Sequence, residues 1–163
     1  MSGVLDTAKF AWSILENGAP KVDVTPMRVS ALPKDSAKSD LPGPWQTAAY
    51  TENLEQKEWL ASIVSALGLD PDLIKYSIAA VWDYNGQYIS DFHISASGNV
   101  QPLSNLSITA QTFEADQDEN GVVQMKYDII CMMSNIGSGS TRLVMHAQAR
   151  GDGGGMSLAE EQS

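Results

Sequence analysis

The sequence predicts a mainly β protein: an antiparallel β-sandwich, or a partly open barrel, with an N-terminal amphipathic helix and a second short helix. From Leu73 onward apolar residues recur at every second position, the period of a half-buried strand. Turn-rich links at Ser97-Gly98-Asn99, Asp116–Gly121 and Asn135–Ser140 divide that pattern into short strands. Upstream, residues 4–16 and 52–67 carry apolar residues at helical spacing instead. At 163 residues the chain has the length of one domain. A domain of that size buries roughly 68–70% of its unfolded surface and needs no disulfide or metal staple.

In the first segment Val4, Ala8, Ala11 and Leu15 form a helical stripe, which Phe10 and Ile14 widen. Asn17-Gly18 followed by Pro20 is a stop signal, because glycine reaches the left-handed conformation and proline cannot continue a helix. Val22, Val24, Met27, Val29 and Ala31 alternate around Pro26, as in an edge or bulged strand. Pro33 to Pro44 is a polar loop with three prolines and reads as the least ordered internal segment. The second helix is expected over 52–67, with Asn53 and Gln56 as a capping box and Leu60, Ile63, Val64 and Leu67 as its apolar stripe.

Asn85-Gly86 marks a hairpin between two alternating runs. A two-residue loop would split Trp82 and Phe92 between faces, because a one-residue slip flips every side chain. A three-residue loop, Tyr84-Asn85-Gly86, pairs Trp82 with Tyr88 and Ile78 with Phe92 and keeps one side apolar, so it is the expected register. Leu106, Ile108 and Ala110 begin the next strand. Val123, Met125, Tyr127, Ile129 and Cys131 give the inward face of another, and Leu143, Met145, Ala147 and Ala149 that of the last. The domain is expected to span 1–150. Gly151-Asp152-Gly153-Gly154-Gly155 opens what reads as a flexible acidic tail, 151–163.

Acidic residues outnumber basic ones 20 to 10, giving a formal charge of −10. That field repels phosphate backbones, which argues against nucleic-acid binding. No apolar run reaches the ~18–20 residues of a transmembrane helix, and the first residues lack the pattern of a signal peptide. A cytoplasmic protein, or one exported without a classical signal peptide, is the expectation. The lone cysteine, Cys131, excludes an intrachain disulfide. It lies among Ile and Met and reads as a buried structural thiol; a nucleophilic role would need His146 beside it. His93 is expected to point outward and to pair locally with Asp91.

The sharpest local motif is Asp116-x-Asp118-x-Asn120-Gly121. Oxygen donors at alternate positions followed by glycine suit a hard cation, so Asp116, Asp118 and Asn120 are the metal candidates, with Ca2+ the cofactor they would take. Over about eight residues this half-loop resembles the Ca2+ loops of the EF-hand family. It departs from them at Tyr127, which stands where that family has a bidentate Glu, and its flanks read as strands. The alternative reading is a solvated hairpin tip.

Trp82, Tyr84, Tyr88 and Phe92 concentrate around one hairpin, where they either pair across strands or leave an aromatic free to stack on a ligand. Trp12, Tyr84 and Tyr88 are the candidates for ligand or membrane contact. No nucleophile elbow, phosphate loop or zinc-protease motif is present in the sequence. The leading expectation is therefore a non-enzymatic binding or interaction module, with a protein, glycan or lipid partner. A helix ahead of a β-sandwich resembles the layout of the actinoporin cytolysins, which implies a membrane-active, pore-forming alternative. A subunit of a homo-oligomer is the other, since Met-rich faces suit self-association.

Overall fold

The computed structural model describes residues 4–14, 20–25, 28–67, 75–99, 104–135 and 139–163, with side chains described for 28–63, 65, 75–98, 106–133 and 141–163. Two antiparallel sheets pack together. The larger contains β1 (Val4–Ile14), β2 (Pro20–Thr25), β7 (Ser104–Phe113), β9 (Val123–Asn135), β10 (Gly139–Arg150) and β11 (Gly155–Gln162), in the order β11-β10-β9-β7-β1-β2. A two-residue strand, β8 (Asp116–Gln117), adds to β9. The smaller contains β3 (Val29–Ala31), β4 (Gln46–Asn53), β5 (Lys75–Tyr84) and β6 (Ile89–Asn99), in the order β3-β6-β5-β4. One helix, α1 (Glu58–Leu67), follows β4 after a single 3-10 turn.

The core lies between the sheets, where the alternating residues converge. Ile78, Ala80, Trp82, Phe92 and Ile94 come from the smaller sheet; Ile108, Met125, Tyr127, Ile129, Cys131, Leu143, Met145 and Ala149 come from the larger, and all are buried. Phe92 stacks at a tilt on Tyr127 across the interface, ring centroids 4.9 Å apart, and Trp82 lies 6.3 Å from Phe92. Such aromatic pairs contribute about 0.5–1.5 kcal/mol beyond the area they bury. α1 covers one end of the core with Trp59, Leu60 and Ile63.

The β5–β6 register differs from the expected one. The loop has four residues, Asn85–Tyr88, and Ile78 faces Ala96 rather than Phe92. Between the pairs Val81–His93 and Asp83–Ser90, β5 advances two positions while β6 advances three. The extra residue is a bulge at Asp91, whose φ of 56° is left-handed. The bulge reverses side-chain parity, so Ile89 and Phe92 both reach the core, 0% and 2% exposed.

Two further expectations change. α1 begins at Glu58 rather than 52, because Asn53 ends β4; its side-chain oxygen accepts from the Ser77 hydroxyl at 2.6 Å instead of capping a helix. Residues 155–162 form β11 on the β10 edge, not a flexible tail. The glycines before it allow this: Gly151 is buried, and Gly153 (φ 91°) lies under the Tyr84 ring. Residues 4–14, within the segment 4–16 for which the sequence predicts a helix, are placed as β1 along β7. Their spacing also satisfies a period of two, with Ala8, Phe10, Trp12 and Ile14 alternating with Thr7, Lys9, Ala11 and Ser13. The side chains of that segment lie outside the described residues, so no packing is assigned to them.

The 33–44 loop contains one turn of 3-10 helix (Lys38–Asp40) and is pinned. Lys38 donates to Asp83 at 2.6 Å and to Asp91 at 3.1 Å, and its ammonium stands 5.3 Å from the centre of the Trp45 ring. Asn85 donates to the Pro42 carbonyl at 3.0 Å.

Candidate functional site

At one end of the sandwich three distant segments are stitched together by backbone hydrogen bonds. Gly86 N–H donates to the Gly151 carbonyl (2.9 Å), Gly151 N–H to the Val123 carbonyl (2.8 Å), and Val123 N–H to the Gln87 carbonyl (2.8 Å). The indole of Trp82 donates to the Arg150 carbonyl at 2.9 Å. Gly151 is required by this closeness: a Cβ there would lie 2.0 Å from the Gln87 carbonyl oxygen. Asn85 fixes the other side, its side-chain oxygen accepting from the N–H groups of Gln87 (3.0 Å) and Tyr88 (2.8 Å).

The stitch positions a cleft of about 410 Å3 between the end of β3, the start of β6 and the β7–β8 corner. Ala31, Leu32, Pro33, Ala115 and Val123 give it an apolar lining. Tyr88, Asp116 and Gln117 supply its aromatic and polar groups. Tyr88 is half-buried against the core, whereas Asp116 and Gln117 are exposed. Among the described residues the Asp116 carboxylate has neither an ion pair nor a hydrogen bond. A cleft of this size, apolar with a few polar groups, is suited to a small ligand or to one residue of a larger one.

The sequence thus named two residues, Tyr88 and Asp116, that the fold brings into one cleft by a route the motif did not suggest. Asp118 and Asn120 are not part of it. Asp118 builds the turn: one carboxylate oxygen accepts from the N–H groups of Asn120 (2.8 Å) and Val122 (3.0 Å), and the other takes Arg150 at 2.5 Å. Arg150 first, then these two amides, holds its carboxyl below the usual carboxylate range. Arg150 is held in turn by Gln124 at 2.9 Å and Asp152 at 3.3 Å. Asn120 is exposed. Among the described residues no three His, Cys, Asp or Glu side chains gather where a metal ion could sit.

Tyr84, the other aromatic candidate, is committed to the structure. Its ring covers Gly153 and its hydroxyl donates to Gln46 at 2.7 Å. The side chain of Trp12 lies outside the described residues. Leu32 and Gln117, which complete the cleft, carried no sequence signal, because their proximity depends on β3 and β8 belonging to different sheets.

Among the described residues, Cys131 and the two histidines form no nucleophilic arrangement. Cys131 is fully buried, and burial pushes its thiol up to about 12. It pairs with Leu143, whereas His146 pairs with Asp128, three rungs away and on the opposite face. His93 turns back on its own strand, its Nδ1 2.8 Å from the Asp91 carbonyl oxygen rather than the carboxylate. Among the described residues no helix is long and apolar enough to cross a membrane. A scan against protein-family models and searches of curated proteins and of solved structures each returned no match.

Proposed function

We propose that the chain is a binding module of β-sandwich type, and that its ligand is a glycan whose terminal ring enters the Tyr88–Asp116 cleft. The observation that carries this reading is the juxtaposition of a half-buried tyrosine with a carboxylate that no residue of the described protein engages. A sugar ring has an apolar face that stacks on an aromatic side chain and hydroxyls that donate to carboxylate and amide oxygens. Asp116 and Gln117 supply such oxygens beside Tyr88. The net charge of −10 opposes an anionic ligand and leaves neutral sugars favoured. Ligand entry needs no metal in this reading, because Asp118 spends its carboxylate on Arg150 and on the turn.

The test is a two-dimensional NMR titration of the full chain with a panel of neutral methyl glycosides. Saturable shifts confined to residues 31–33, 88, 115–117 and 123, lost in Tyr88→Ala and in Asp116→Asn, are expected. Absence of saturable shifts in the cleft across the panel at tens of millimolar sugar would remove the glycan reading.

A further inference from the structure

β11 is an unusual strand to find ordered. All eight of its residues are exposed, Met156 and Leu158 at 46% and 43%, so burial of apolar surface does little to hold it. It rests on the β10 ladder, interrupted by a bulge beside His146 and Ala147, and on polar fastenings. Lys57 grips Glu160 from beneath while also holding Glu52 at 2.7 Å. Ser163 exchanges two backbone hydrogen bonds with Arg142, both 2.9 Å, and accepts from the Thr141 hydroxyl at 3.0 Å. The remaining fastening is His146, whose Nδ1 lies 2.6 Å from Asp128 on β9 and whose Nε2 lies 3.2 Å from Glu161 on β11.

A neutral imidazole has one N–H and so can donate to only one of two carboxylates, while an imidazolium donates to both. His146 stands between two carboxylates on strands either side of its own, so only the charged ring spans all three strands. We propose that Asp128, His146 and Glu161 form a pH-sensitive clasp that fastens β11 to the sheet when the imidazole is charged and releases it when the imidazole is neutral. Asp128 is the better-buried partner and keeps the single N–H of the neutral ring; Glu161, 72% exposed, is the one let go. Among the described side chains, the charged groups sharing this face are Lys126 and Asp128 on β9, Arg142 and Arg150 on β10, and Glu161 on β11. Arg150 is occupied by Asp118 and Asp152, and Glu160 by Lys57. Of the fastenings on β11, His146 alone changes charge near neutrality. Release leaves the hydrogen-bonding edge of β10 bare, the kind of edge to which another strand can add.

The direction follows from linkage. Asp128 first and Glu161 second hold the imidazole above its ordinary value. A raised folded-state pKa gives a contribution that is complete below the ordinary histidine value of about 6.5 and is lost as pH rises through the folded value. The opening equilibrium of β11 therefore grows with pH, by up to about tenfold for each unit separating the folded-state and released values.

Backbone amide exchange of the full chain between pH 6 and 9, corrected for intrinsic rates, reads this directly. The expected result is an opening of residues 156–161 that grows with pH while amides of β9 do not follow. That dependence flattens in Glu161→Gln, an exposed position whose change leaves the core intact, and in His146→Gln. In the same samples the His146 ring should titrate above a free imidazole and move down in Asp128→Asn. Opening of β11 that tracks β9 at every pH, or an unchanged pH dependence in Glu161→Gln, overturns the clasp, as does a His146 ring that titrates like a free imidazole.

Discussion

The carboxylate of Asp118 and the guanidinium of Arg150 meet at 2.5 Å, tying the tip of the β8–β9 turn to the end of β10. An aspartate at the centre of a cation-like motif is thereby assigned to architecture. Millimolar Ca2+ is expected to leave the thermal midpoint of the chain within error of that in chelator. Asp118→Asn lowers the midpoint in both conditions alike. A Ca2+-dependent rise that disappears in Asp118→Asn would reverse the assignment.

The same pair fixes a pH dependence. Because the Asp118 carboxyl is held low by Arg150, its contribution is present above the ordinary carboxylate value of about 4 and is lost as pH falls through the folded value. Denaturant unfolding of wild type and Asp118→Asn at pH 7 and again near pH 2.5 checks this: the difference between the two proteins shrinks in acid.

Gly151 and Gly86 separate close approach from backbone freedom. A side chain at 151 collides with the Gln87 carbonyl, whereas nothing lies within 4 Å of a Cβ at Gly86, whose φ is 98°. Gly151→Ala is expected to cost about 3 kcal/mol by urea unfolding, and Gly86→Ala about 1 kcal/mol from its backbone conformation alone. Equal costs would show that the stitch is looser than its geometry.

Core and cleft aromatics should part company. Phe92, wedged between Trp82 and Tyr127, loses about 3–5 kcal/mol on truncation to alanine. Tyr88 is only half-buried against the core, and Tyr88→Ala is expected to cost about 1 kcal/mol. Equilibrium unfolding in urea measures both.

Cys131, buried and with its thiol raised to about 12, should resist a neutral thiol reagent at pH 8 in the folded chain and react fully in denaturant. Labelling followed by mass spectrometry reads the two rates. Fast labelling of the folded chain would contradict its place in the core.

How far the sequence could be read depended on burial. The β9 and β10 alternations are visible because every second residue from Val123 to Cys131 and from Leu143 to Ala149 is sequestered. β11 was illegible for the opposite reason: an edge strand that buries nothing leaves no period, and its glycines read as linker when they are spaces for aromatic rings and a backbone. The hairpin loop misled by its short Asn-Gly signal, since a left-handed Asp91 seven residues from Tyr84 sets parity, and no local rule announces such a bulge. At the site, Tyr88 stands out as an aromatic and Asp116 as a metal candidate; only the packing of the two sheets brings them into one cleft.

Trp82 and Arg150 lie 68 positions apart, and their hydrogen bond closes the end of the sandwich. During synthesis the smaller sheet, complete at Asn99, therefore precedes β7 to β11, which make up most of its cover. At roughly 5–20 residues per second the stretch from Asn99 to Arg150 takes about 3–10 s. Through that interval Ile78, Trp82, Phe92 and Ile94 lack the β9 and β10 residues that bury them, so the nascent chain presents an aggregation-prone apolar surface. Yield in a cell should thus respond to translation speed between residues 100 and 150 more than to changes anywhere earlier in the message.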